Sequence, residues 1–85
     1  LTLPSKQIHT DNEIKSNCLN QFLIEVCKDY NIKEYVWRAE KQKNGNLHFH
    51  LLLNQFVPYD VIRDKWNRII NKLGYVDIYK NKHQN

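Results

Sequence analysis

The stretch Glu40-Lys41-Gln42-Lys43-Asn44-Gly45-Asn46-Leu47-His48-Phe49-His50-Leu51-Leu52-Leu53 decides how the rest of the chain is read. Its second half, taken as a β-strand, has a side-chain period of two. That period puts His48 and His50 on one face and Phe49, Leu51 and Leu53 on the other. One face is then core. The other presents two imidazoles about 7 Å apart at Cα, close enough to converge on one divalent ion. The bland alternative is a half-exposed strand with two solvated histidines.

Glu40 lies eight residues before His48, across a Lys43-Asn44-Gly45-Asn46 turn. The arm Tyr35-Val36-Trp37-Arg38-Ala39-Glu40 is strand-like, being rich in aromatic and β-branched residues. Loop length decides whether Glu40 joins the histidines. A two-residue Asn44-Gly45 loop pairs Glu40 with Phe49, on the wrong face. A three-residue loop pairs Glu40 with His50 and brings the carboxylate beside both imidazoles. A metal site at Glu40, His48 and His50 therefore predicts an odd loop or a bulge, although Asn-Gly alone favours the two-residue turn. One carboxylate and two imidazoles with open positions suit Mg²⁺ or Mn²⁺ better than structural zinc.

His48-Phe49-His50, followed by three leucines and preceded by Glu40 on the neighbouring strand, resembles the HUH endonucleases. The similarity is to the replication-initiator (Rep) branch that starts rolling-circle replication, in which Glu, seven residues, then His-hydrophobic-His is the usual ligand spacing. Relaxases resemble the chain less, since a third histidine usually stands where this chain has Glu40. Leu1-Thr2-Leu3 also resembles the tail of that family's first motif, an apolar, Thr-rich strand at the sheet centre. The resemblance implies a metal-dependent transesterase that cuts single-stranded DNA, at an origin hairpin or loop, through a phosphotyrosine intermediate. It implies Glu40, His48 and His50 as ligands of Mn²⁺ or Mg²⁺. The Rep nucleophile is a Tyr-x-x-Lys on a helix after the histidines. Tyr79 to Lys82 has the right order but closes an expected strand; Tyr30 to Lys33 precedes the histidines and ends a core stripe. The expectation is thus Tyr79 or, preferred, a tyrosine beyond Asn85, this chain being the metal-binding part of a longer protein.

The remaining chain supplies the scaffold. Thr10 and Glu13 have capping-box spacing. Ile14, Cys18, Phe22, Val26 and Tyr30, widened by Leu19 and Leu23, form the apolar stripe of a helix of about five turns that Asn31 ends. Tyr35, Trp37 and Ala39 are assigned to the core, and Val36, Arg38 and Glu40 to the histidine face. Arg38, with Lys41 and Lys43 toward the turn, is the basic set for DNA phosphates; pairing of Arg38 with Glu40 is the equal alternative. Val57-Pro58-Tyr59-Asp60 opens a second helix with the stripe Ile62, Trp66, Ile69, Ile70 and Leu73 and basic residues Arg63, Lys65, Arg68 and Lys72; Gly74 stops it. Tyr75 to Tyr79 alternates as a last strand. The order strand, helix, strand, strand, helix, strand is α+β, the split βαβ or ferredoxin-like arrangement. It has an antiparallel sheet with two helices on one face, a fold that HUH domains share.

At 85 residues the chain makes one domain, residues 1–85, and its formal charge of +4 favours an anionic partner. No run of about 18 apolar residues exists to span a membrane. Cys18 and Cys27, nine residues apart on one helix, are not spaced for a disulfide and fit a reducing cytoplasm, that of a bacterial host. The same fold also carries RNA-recognition modules. Competing readings are a non-catalytic single-stranded nucleic-acid-binding module with Tyr75 or Tyr79 as exposed stacking platforms, an HUH single-strand transposase, and a scaffold whose histidines are incidental.

Overall fold

Gly45 takes φ of 89°, a left-handed value that a residue with a Cβ adopts only at a cost. Its N–H donates to the Gln42 carbonyl at 2.9 Å, and the Gln42 N–H donates to the Asn46 carbonyl at 2.8 Å. These bonds close a three-residue loop over Lys43, Asn44 and Gly45. The strands so joined are β1, Tyr35–Lys41, and β2, Leu47–Leu53. They pair antiparallel, with Glu40 opposite His48, Arg38 opposite His50 and Val36 opposite Leu52. The odd loop is present, but one residue earlier than Asn44-Gly45-Asn46. Glu40 therefore meets His48 and not His50, and all three side chains still share a face. The computed structural model describes residues 1–76.

A second segment lies along the other edge of β2. Leu1 and Phe49 exchange both backbone bonds, each 2.9 Å, the mark of an antiparallel pair. Further along, the buried Asn46 accepts the Gln7 N–H at 2.7 Å and donates to the Ser5 carbonyl at 2.9 Å. The Gln7 side chain accepts the Leu47 N–H at 2.9 Å. The N-terminal segment and β1 both run antiparallel to β2 and so parallel to each other, which is the split βαβ relation. The expected strand Leu1–Leu3 is reduced to one backbone pair, because beyond Leu1 the contacts are made by the side chains of Asn46 and Gln7.

The first helical rod has three parts: Asp11–Ile14, a π turn at Lys15–Leu19, and Asn20–Tyr30. Its start is the expected capping box. Thr10 Oγ1 accepts the Glu13 N–H at 3.2 Å and Glu13 Oε1 accepts the Thr10 N–H at 3.1 Å. Steps of four residues overshoot a helical face by about 40° each. The wider π turn takes up part of that drift, so Ile14, Cys18, Phe22 and Val26 are all fully buried. Asn31, left-handed at φ 52°, ends the rod.

The second helix spans Tyr59–Asn71. Gly74, at φ 97°, turns the chain so that the Tyr75 N–H reaches the Ile70 carbonyl at 3.2 Å. Trp66 sits at the centre of the core, edge-to-face with Phe22 and with Phe49 at 6.0 Å each. Its indole N–H donates to the Thr2 carbonyl at 2.7 Å. Both helices thus cover the Phe49 face of the hairpin, and the fold is α+β. Lys65–Asp29 at 2.5 Å and Arg68–Glu25 tie the helices together; these cations, expected as open basic surface, are paired.

Two core assignments need correction. Trp37 meets Phe49 edge-to-face at 6.1 Å, yet Trp37 and Tyr35 stay 40% and 45% exposed because β1 is the outer strand of the hairpin. Tyr75, expected on a strand as an exposed platform, is 1% exposed. Its hydroxyl accepts the N–H groups of Ile8 and His9 at 3.0 and 3.1 Å and lies 2.7 Å from His9 Nδ1. Tyr75 and Val76 form no strand, and the rest of the expected strand, Tyr79 included, lies outside the described residues.

Candidate functional site

The outer face of the hairpin carries three cross-strand pairs in sequence: Val36 with Leu52, Arg38 with His50, and Glu40 with His48. Among the described residues no helix covers this face; Leu52 is 73% and Val36 65% exposed. Glu40 Oε1 reaches diagonally to within 3.7 Å of His50 Nε2. The His48 and His50 rings meet edge-to-face with centroids 4.7 Å apart. The carboxylate and both imidazoles are therefore neighbours, as their sequence spacing anticipates.

The two histidines differ in surroundings. His50 is open to solvent, whereas His48 is half-buried, and its Nδ1 is enclosed with no hydrogen-bond partner among the described residues. A buried imidazole nitrogen without a partner is costly unless something else engages it. Burial holds the His48 pKa below the ordinary histidine value, the amino group of Leu1 and His50 push it the same way, and Glu40 opposes them. At neutral pH His48 is the neutral ring that a metal requires.

Among the described residues no three His, Cys, Asp or Glu side chains stand already converged around a metal position. Two imidazoles and a carboxylate nonetheless form a donor set suited to a divalent ion with open coordination positions. Glu40 and His50 are free enough to turn toward it, with side chains 57% and 44% exposed. The enclosed His48 Nδ1 is the nitrogen left wanting a partner. On these grounds the residues fit such an ion.

The basic set divides. Arg38 is exposed beside His50 on the site face. Lys41 is bound to Asp11 at 2.7 Å, on the opposite side of β1, and is not directed at the histidines. Lys43 belongs to the loop that joins the strands, away from the histidines. Tyr30 ends the first rod packed against the core, and Tyr79 lies outside the described residues. Both cysteines are free, and burial pushes both thiols up in pKa. Among the described residues no helix is long and apolar enough to cross a membrane.

His48 also forms part of the wall of a cavity between the N-terminal segment and the second helix, which sequence reasoning missed. The available signal was Tyr59 and Arg63, whose separation by four residues puts them on one helical face.

A family model described as replication-associated protein, of the ORF2 type, matches residues 1–85. No curated protein and no solved structure matches the chain.

Proposed function

The chain belongs to this family of replication-associated proteins, and from that premise we propose that it is the metal-binding part of an HUH-type nickase that starts rolling-circle replication. The observation that carries the reading is the gathering of Glu40, His48 and His50 on one open face, with 3.7 Å between the Glu40 carboxylate and His50. Its substrate is single-stranded DNA, at an origin hairpin or loop of a plasmid, phage or similar element in a bacterial cytoplasm. The non-catalytic module loses support, since Tyr75 is buried and cannot stack a base.

Glu40, His48 and His50 hold a divalent cation, Mn²⁺ or Mg²⁺, which when bound supplies a Lewis acid for the scissile phosphate. The neutral His48 ring is anchored by its burial, while Glu40 and His50 adjust to the ligand. Arg38, one residue pair along the same face, holds a phosphate oxygen and orients the strand across the hairpin. A tyrosine hydroxyl attacks the phosphorus, giving a 5′-phosphotyrosine link and a free 3′-hydroxyl. Tyr79 is the tyrosine of this chain with the required order and a lysine three residues on; covalent capture of origin DNA decides its role.

The test is binding of the chain to single-stranded and duplex origin DNA, with Mn²⁺ or with chelator. Tighter binding of the single strand, raised by Mn²⁺ and no longer raised by it in His48→Ala/His50→Ala, is expected. Binding that ignores both the metal and the double substitution overturns the reading.

A further inference from the structure

A cavity of about 660 Å³ opens between Leu1–Pro4 and the second helix, and His48 is on its wall. This is the size of a small-molecule site, which runs from roughly 300 to 1,000 Å³. It is too large for an ion and its waters alone. Its remaining lining joins aromatic, cationic and amide groups: Tyr59, Arg63, Trp66 and Asn67, with Ile62 between them.

Each wall has a separate chemical use. Tyr59 is 75% exposed and offers an aromatic face. Arg63, one turn later, places its guanidinium carbon 5.9 Å from the Tyr59 ring centroid. Its Nε is engaged by the neighbouring Asp64 at 3.1 Å; among the described residues its other two nitrogens have no hydrogen-bond partner. Trp66 is 3% exposed and its N–H is committed to Thr2, so it gives the cavity an apolar floor. Asn67 carries a donor and an acceptor on one amide, the pair needed to meet a base edge. An exposed ring beside a guanidinium suits a base joined to a phosphate, and His48 makes the cavity continuous with the histidine face.

We propose that this cavity receives one nucleotide of the single strand, next to the phosphodiester that lies at Glu40, His48 and His50. Its base stacks on Tyr59 and its phosphate meets Arg63. The proposal rests on the single-stranded DNA reading above and adds the place where the strand leaves the histidine face. Base–aromatic stacking tolerates any sequence, so an arbitrary single strand is a sufficient probe.

The experiment uses the 85-residue chain, a single-stranded thymidine 12-mer and thymidine monophosphate. The chain has two tryptophans, Trp37 and Trp66, so its ¹H–¹⁵N spectrum has two indole signals, and Trp37→Phe identifies the one from Trp66. The 12-mer is expected to shift the Trp66 signal, and Tyr59→Ala to weaken 12-mer binding about tenfold or more. Tyr59→Phe restores most of that loss. Arg63→Ala weakens binding and makes its salt dependence shallower by about one phosphate's contribution. Both positions are exposed, and circular dichroism verifies that the variants remain folded. If the 12-mer binds but Tyr59→Ala and Arg63→Ala bind it like the parent, the cavity proposal falls and the DNA reading stands. If thymidine monophosphate shifts Trp66 at the same concentrations as the 12-mer, a free nucleotide replaces the strand and the proposal falls. If the 12-mer does not bind, both fall together.

Discussion

Glu40 and His50 are diagonal neighbours across the hairpin, with 3.7 Å between Oε1 and Nε2. A carboxylate this close to one imidazole, and directly opposite another, completes a donor set without any contribution from the helices. Mn²⁺ is therefore expected to raise the melting temperature, because a ligand bound only to the folded state stabilises it. At a hundredfold excess over Kd the gain is about 2.7 kcal/mol, or on the order of 10 °C for a domain of this size. His48→Ala/His50→Ala abolishes the shift and leaves the fold intact. Glu40→Ala reduces it without removing it. Differential scanning fluorimetry reads all three, and an undiminished shift in the double variant contradicts the site.

Arg38 is exposed beside His50. If about three phosphates of a single strand are neutralised, the slope of log affinity against log salt lies near −2. Arg38→Ala should make it shallower by about 0.7. Lys41→Ala should leave it nearly unchanged, since Lys41 is held by Asp11. Fluorescence anisotropy from low to moderate salt measures each slope; equal losses at the two positions would count against Arg38 as a phosphate contact.

With Mn²⁺ and native origin DNA, this chain is expected to bind without forming a denaturant-resistant adduct. Tyr79 is followed by six residues, and a hydroxyl misplaced by about 1 Å can lose on the order of 10²-fold in rate. Denaturing electrophoresis of labelled DNA checks this. A covalent band that disappears in Tyr79→Phe would instead identify Tyr79 as the nucleophile.

Stability should fall as the solution becomes acidic. Hydrogen bonding from Lys41, then from Gln7, holds the Asp11 carboxyl below its ordinary pKa, and hydrogen bonding from Lys65 does the same for Asp29. A depressed carboxylate stabilises the fold fully above its unfolded pKa, near 4. It loses that contribution as pH falls through the folded value. Melting temperatures between about pH 6 and pH 3 should decline, and less steeply in Asp11→Asn/Asp29→Asn.

Phe22 is fully buried against Trp66. Phe22→Ala should cost about 3–5 kcal/mol, enough to unfold much of a small domain. Urea denaturation is the measure. A loss below about 1 kcal/mol would mean that the two helices do not share this core.

Local chemistry was legible in the sequence and long-range chemistry was not. Thr10 and Glu13 form their capping box three residues apart, and the alternation of His48, Phe49 and His50 assigns faces whatever surrounds it. The hairpin register was ambiguous because Asn44-Gly45-Asn46 fits more than one loop. What distinguishes this loop is Asn46, withdrawn from the tip to bond Gln7 and Ser5, which lie 39 and 41 residues away. Tyr75 was misread for the same reason: its hydroxyl partners, Ile8 and His9, are 67 and 66 residues distant. The π turn left no signal beyond a strict four-residue spacing, which a regular helix does not favour.

The Leu1–Phe49 pair spans 48 positions of the chain, and this sets an order of assembly. The β1–β2 hairpin closes across three loop residues, an event of about 1–10 μs. Pairing Leu1 with Phe49 must enclose the first helical rod and β1, so its closure entropy is offset only after those elements exist. The N-terminal segment therefore docks late, onto the edge of β2 left open by the hairpin. Until it does, the Phe49 N–H and carbonyl face solvent, and the central strand is a temporary edge at which two folding chains can pair.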